Sequence, residues 1–224
     1  LYRLNVPLLM TFGEVAGIPE FLRNAEQYSG STAILKGVPL GTLSELPEDP
    51  RALESIDFVL LATDFTASDA QTAALRRWVE FGGDLYFSVG GNVGEFLQSS
   101  PGIWLNQFFD LQPEAVSIRE LSSLQSFVPG ASRLETGRRT VPIAISRSDQ
   151  SQEDVDFLSG PIVARQGIGA GTATFIAVDI NERPMDRWLS LPQFYEVLIL
   201  GDKLSRSSGS TTRSSRISQS GISE

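Results

Sequence analysis

The residues best placed to do chemistry lie where glycines and acids follow apolar runs. Ser88-Val89-Gly90-Gly91-Asn92-Val93-Gly94 leaves one such run and leads toward a short helical stretch at 95–98. Glycines there let backbone N–H groups approach a ligand, and open α/β sheets bind ligands in the crevice at the carboxyl ends of their strands. Asp64 follows a second apolar run. Asp179 follows a third, with Asn181, Glu182, Arg183 and Pro184 behind it. Two carboxylates over one side of a sheet could share acid–base work if one is held protonated near neutral pH. The same oxygens would suit magnesium or calcium, but their spacing matches no cation-binding loop. The candidate crevice is therefore Asp64, Ser88, Gly90, Gly91, Asn92 and Asp179, with no metal and no cofactor expected in it.

Two absences narrow the chemistry. The chain contains no Cys and no His. A thiolate nucleophile, a disulfide and a sulfur-ligated metal are excluded, as is any Ser-His-Asp or Cys-His couple within the chain. Gly167, Gly169 and Gly171 spell G-x-G-x-G, which resembles a phosphate loop. Such a loop needs its glycines between a strand and a helix N-terminus, where free N–H groups meet the anion. Here a second extended run follows, so the segment reads as a hairpin turn.

The elements that must position these residues are legible in the apolar periodicity. Residues 4–12 read as a strand, 13–17 as a turn, and 18–28 as a helix with Pro19 tolerated in its first turn. Residues 31–35 read as a second strand, followed by a Pro- and Gly-bearing connection. Residues 57–63 (DFVLLAT) form a continuous apolar run of the kind buried on both faces of a parallel sheet. Ser68 with Gln71 three residues later spells a capping box. Ala70, Ala74, Leu75, Trp78 and Val79 then recur at helical spacing, and Gly82-Gly83 closes the helix. Residues 84–89 follow as a strand, completing a right-handed βαβ unit.

Beyond it the pattern loosens. Residues 95–160 read as a less regular insert covering the sheet edge, aromatic-rich at 104–111, with strands at 115–121 and 140–146. Runs at 161–165 and 172–179 make the hairpin. Residues 188–200 make a closing helix with Leu191, Phe194, Val197 and Leu198 inward. Trp78, Trp104 and Trp188 read as packing residues.

With 224 residues, 41% of them hydrophobic and 20% charged, the chain fits one buried domain, here residues 1–200. Residues 203–224 are nearly all Ser, Thr, Gly and Arg, and read as a linker or solvated tail. Arg206, Arg213 and Arg216 make a membrane-side tether the weaker reading. A net charge of −9 opposes nucleic acid as a partner, since phosphate contacts need clustered Lys and Arg. No run is long enough for a membrane helix and no signal-peptide pattern opens the chain. It starts without Met, as a piece cut from a longer protein would.

Two stretches together carry a family resemblance. They are IDFVLLATDFTASDAQTAALRRWVEFGGDLYFSVGGNVG at 56–94 and GIGAGTATFIAVDINERPMDRWLSLPQFYEVLI at 167–199. In order they give a strand, a helix ending W-V-x-x-G-G, a strand with a Gly-rich turn, then G-x-G, a strand ending in Asp, a Pro and a Trp. This order resembles the class I glutamine amidotransferase-like domains of large bacterial envelope proteins. The resemblance implies a flavodoxin-like three-layer α/β sandwich with a mostly parallel central sheet, plus the C-terminal hairpin and helix. It also implies a Cys about where Gly90 stands and a His near Val178-Asp179-Ile180. Neither is present, so the amidotransferase reaction is expected to be lost.

What remains is expected to be a non-catalytic binding or scaffolding domain on the extracytoplasmic side of a bacterial membrane. Its partners would be other domains of the same longer chain, envelope proteins or a small-molecule ligand. A hydrolase built on Asp64, Asp179 or Glu182 and a purely structural spacer are the alternatives.

Overall fold

Short apolar runs separated by turn residues build an alternating α/β chain. The computed structural model describes residues 6–27, 35–62, 64–117, 121–134, 140–146, 155–157 and 162–201. In order they form β1 (Leu8–Phe12), α1 (Ile18–Gln27), β2 (Lys36–Leu40), β3 (Phe58–Leu61), α2 (Asp69–Glu80) and β4 (Asp84–Ser88). Then come α3 (Val93–Phe96), α4 (Ser100–Phe109), β5 (Leu111–Ser117), α5 (Ser122–Phe127), β6 (Thr140–Ser146) and β7 (Val155–Phe157). The chain closes with β8 (Val163–Ile168), β9 (Gly171–Ile176) and α6 (Leu191–Tyr195), which runs on as a π-helical turn over Glu196–Leu200.

Seven strands form one sheet in the order β2-β1-β3-β4-β9-β8-β7. From β2 to β9 the pairing is parallel, and β8 and β7 add antiparallel. The parallel part has the flavodoxin-type order, with its reversal at β1 and β3. β1 steps outward to β2 while β3 steps the other way to β4. Right-handed crossovers therefore put α1 and α2 on opposite faces, giving three layers. β5 and β6 pair as a separate antiparallel ribbon.

The faces are packed differently. On one, Phe87, Phe96, Phe109 and Phe175 pack with centroids 5.3–5.9 Å apart, and Phe65 meets Phe96 edge-on at 4.8 Å. On the other, Phe21 of α1 lies against Tyr195 of α6, which Phe194 joins. The order of β4 sets this split, because Phe87 and Tyr86 point to opposite faces of the pleat. The Tyr86 hydroxyl donates to the Leu198 carbonyl on the α6 side.

α2 matches its sequence signals. Ser68 Oγ accepts from the Gln71 N–H at 3.1 Å and Gln71 Oε1 accepts from the Ser68 N–H at 2.8 Å. Trp78 donates its indole N–H to the Ile56 carbonyl at 3.0 Å. Ala70, however, is exposed, and Gln71 and Thr72 are buried in its place. The cause is the cap itself: the Gln71 amide turns inward and donates to the carbonyls of Ser44 and Leu46.

Other boundaries move for identifiable reasons. The second strand lies at Lys36–Leu40, in the segment read as a connection, while 31–34 lie outside the described residues. Pro39 argues against a strand there. β2 is an edge strand, with Lys36 donating to Pro7 and Leu40 accepting from Gly13. The intervening Pro39 therefore turns its missing N–H outward, where no ladder bond is lost. The first strand starts at Leu8 instead of residue 4, and residues 1–5 lie outside the description.

The closing helix begins at Leu191 with Pro192 in its first turn. Trp188 precedes it, ending a 3₁₀ turn, and Val197 is half-buried. In the insert, the aromatic run is helix α4, begun by Ser99 and Pro101. The strand read at 115–121 is β5 at Leu111–Ser117. Among the described residues of the insert, only β7 extends the sheet edge. β6 instead lies over the carboxyl ends of the strands, where the Ala144 N–H donates to the Ala177 carbonyl at 2.9 Å. The tail from residue 202 lies outside the described residues.

Candidate functional site

The turn after β4 is a strand–turn–helix elbow. Gly90 takes φ 55° between β4 and α3, and Asn92 donates its N–H to the Val89 carbonyl. A sharp, strained turn of this form presents the nucleophile in many α/β hydrolases. Here nothing is presented. A Cβ on Gly90 would stand 2.4 Å from the Asp179 nitrogen and 2.5 Å from its Cβ. The chain leaving β9 fills the space in which a side chain at the elbow would sit.

Around that contact the other candidates serve as ties. Ser88 Oγ donates to the Val178 carbonyl at 2.6 Å and accepts from the Ile180 N–H at 3.0 Å, locking the exits of β4 and β9 together. Asp179 is 6% exposed. It accepts from Asn92 Nδ2 at 3.1 Å and from the Asn181 N–H at 2.8 Å. Burial holds its carboxyl above the usual range, opposed in part by the Asn181 N–H and reinforced by the charge of Glu182. Gly91 is exposed at the rim, with Pro142 of β6 3.1 Å from where its Cβ would be.

Asp64 belongs to a different network. Its carboxylate accepts from the Leu43 N–H at 2.8 Å and the Thr66 N–H at 2.9 Å. Partial burial pushes its pKa up, but these bonds and the Thr66 hydroxyl outweigh it, leaving the carboxyl below its usual range. The structure thus gathers Ser88, Gly90, Gly91, Asn92 and Asp179 at one place and uses Asp64 to cap a neighbouring turn. Glu182 is exposed. Among the described residues no group of three or more acids is placed to hold a metal ion.

The glycine triplet forms a tight hairpin. Gly169 takes φ 64° in a two-residue turn, and Ala170 donates to the Glu80 carbonyl. A Cβ on Gly171 would stand 2.2 Å from the carbonyls of Val79 and Gly83, so glycine is required for the turn to seat on the end of α2.

The open space lies elsewhere, at the reversal of strand order. A cleft of about 810 Å³ runs over the ends of β1 and β2 beside the start of α1. Its lining includes Thr11, Glu14, Ile18, Leu22, Pro39 and Asn181. Asn181 pins the loop that borders it: Oδ1 accepts from the Ala16 N–H at 2.8 Å and Nδ2 donates to the Glu14 carbonyl at 3.0 Å. The Tyr195 hydroxyl donates to the Ala16 carbonyl at 2.8 Å. Sequence reasoning did not pick out this cleft. Its available signal was Thr11, the one polar residue in LLMTF, with Gly13 and Gly17 just after it. A shallower groove of about 580 Å³ opens at the starts of α2 and α4.

No family model matches the chain, and no curated protein matches it. Solved structures do. The cytoplasmic protein STM1381 from Salmonella typhimurium LT2 is 10% identical, over 84% of this chain and 96% of that one, with a TM-score of 0.51. The N-terminal domain of mmIFT52 is 12% identical, over 86% and 95%, with a TM-score of 0.51. What is shared is the fold. A ThuA-like protein from Bacteroides uniformis aligns over 86% and 89% at 12% identity with a TM-score of 0.45. The chain is therefore a flavodoxin-like three-layer α/β sandwich. Among its described residues, no helix is long and apolar enough to cross a membrane.

Proposed function

We propose that this is a non-catalytic binding or scaffolding domain of a longer, membrane-anchored bacterial protein. It retains a glutamine amidotransferase-like frame without the reaction. The observation that carries the reading is the contact at the elbow, where the Asp179 backbone occupies the room a nucleophile's side chain would need. The absence of Cys and His from the whole chain supports it independently. The polar groups at the elbow bond to one another across the loops that leave β4 and β9, a pattern that stiffens a frame. Its extracytoplasmic placement rests on the resemblance to envelope proteins.

The test is an assay of the chain against amide, ester and glycoside substrates, alongside Asp179→Asn. The expected result is no turnover by either protein. Turnover that disappears in Asp179→Asn would overturn the proposal in favour of carboxylate chemistry. One observation favours that second reading: Asp179 is buried with its proton held more tightly than usual. Against it, Asp64 sits in another network, and Asp179 lines neither of the two clefts described. Fractionation of the native full-length protein tests the membrane part. Recovery in the soluble cytoplasmic fraction would remove it.

A further inference from the structure

We propose that the cleft over β1 and β2 binds an organic cation, an ammonium or guanidinium group carried on a short apolar body. This rests on the binding-domain reading above and gives it a place and a ligand class. The cleft's volume of about 810 Å³ lies within the roughly 300–1,000 Å³ of small-molecule sites.

Two polar groups in it have no partner. Thr11 is 5% exposed, lines the floor, and its hydroxyl makes no hydrogen bond among the described residues. Its oxygen opens on the space of the cleft, where a ligand can bond it. Glu14 stands exposed at the rim, and its carboxylate likewise has no hydrogen bond or ion pair among the described residues. The other acid of the lining, Glu20, is already engaged by Arg23 at 2.7 Å. Among the described residues the lining contains no Lys and no Arg. A free carboxylate and a free hydroxyl, with no cation to answer them, select a donor-rich positive group.

The start of α1 reinforces the sign. A helix N-terminus would ordinarily attract an anion through its free N–H groups. Here Ile18 donates to the Val15 carbonyl, Pro19 has no N–H, and Phe21 donates to the Gly17 carbonyl. Only the Glu20 N–H is left in that turn. Phosphate is disfavoured although the cleft adjoins the strand reversal where such folds hold nucleotides. Ile18, Leu22 and Pro39 offer the apolar surface for the body of the ligand. Asn181 and Tyr195 already fix the bordering loop, so little ordering remains to oppose binding.

The experiment uses the 224-residue chain, with agmatine, cadaverine and pentylamine as probes and pentanoate and pentyl phosphate as anionic counterparts. Thermal shift and calorimetry read binding. The amines are expected to raise the unfolding midpoint and the anions to leave it unchanged. Glu14→Gln should weaken amine binding by about fivefold or more, through loss of a charge-assisted bond. Thr11→Val should weaken it by about threefold while leaving the free protein no less stable, since the hydroxyl it removes is unpaired. No shift with any amine, equal shifts with the anions, or binding untouched by both substitutions would overturn the site. Turnover of an amine-bearing substrate with binding intact would instead overturn the non-catalytic reading and leave the site standing.

Discussion

Two pairs of strand ends in the same sheet meet opposite fates. Where β4 and β9 end, Ser88 binds both sides of the exit, Asp179 lies on Gly90, and β6 covers the rim through Ala144 and Pro142. Where β1 and β2 end, the next residues are Gly13 and Gly41. The nearest atom to a Cβ on Gly13 is 3.8 Å away, and the cleft stays open. Both regions place a positive-φ glycine at or just past the end of a parallel strand. The difference comes from what the chain does afterwards. β9 has neighbours on both sides and an insert above it, whereas β2 is an edge strand with none beyond it. In this fold, then, the carboxyl ends of β4 and β9 are sealed by backbone, while those of β1 and its edge neighbour β2 keep the space.

The sharpest way to break that comparison is to put the same side chain on both glycines. Gly90→Ala combines strain at positive φ with a 2.4 Å approach to the Asp179 nitrogen, a backbone atom that cannot rotate away. It should cost about 2–5 kcal/mol, strain and overpacking together. Gly13→Ala meets only the strain and should cost about 1–2 kcal/mol. Urea midpoints of the two variants give the difference directly. Equal losses would show that the elbow is not sealed as described.

Asp64→Ala comes next in size. It leaves the N–H of the fully buried Leu43 without its acceptor, at a cost of about 1–3 kcal/mol. Because the Asp64 carboxyl is held below its usual range, its contribution is present above the unfolded-state pKa and is lost as pH falls through the folded one. The gap between wild type and Asp64→Ala in urea should therefore narrow on acidification. A gap that widens would contradict the assignment of Asp64 as a turn cap.

What could be read in advance follows the same division. The α2 unit was legible because its signals are local: the Ser68–Gln71 box, the buried stripe through Val79 and the Gly82 stop lie within 15 residues. β2 was misread because Pro39 breaks most strands and is harmless only at an edge, and edge position is a property of the whole sheet. Clustering of Ser88, Gly90, Asn92 and Asp179 could be inferred from strand ends. That they fill the crevice could not, since it depends on two residues 89 apart in sequence, Gly90 and Asp179, reaching van der Waals limits. The separation of Asp64 from Asp179 depends likewise on a partner at Leu43, in a segment without any chemical signature. The open cleft was missed because its lining is ordinary residue by residue; only the unpaired state of Thr11 and Glu14 marks it.

The smallest expected effect concerns Asp179 and separates a frame from a latent catalyst. Its folded pKa is raised, chiefly by burial, so the native state binds its proton more tightly than the unfolded state does. The sign is then opposite to that of Asp64. Its penalty is absent below the unfolded-state pKa and grows as pH rises through the folded one. Asn at this position keeps an acceptor for the Asn181 N–H, and a rotation of the Asn92 amide lets it accept from the new side chain. Asp179→Asn should therefore be at least as stable as wild type at neutral pH, with the advantage vanishing on acidification below the carboxylate range. Urea titrations at several pH values measure it. A frame in which Asp179 merely fills the elbow predicts this mild gain. If Asp179→Asn lowered stability at every pH, the carboxylate would be holding the two loops together by its charge, and the closed elbow would be its product and not its setting.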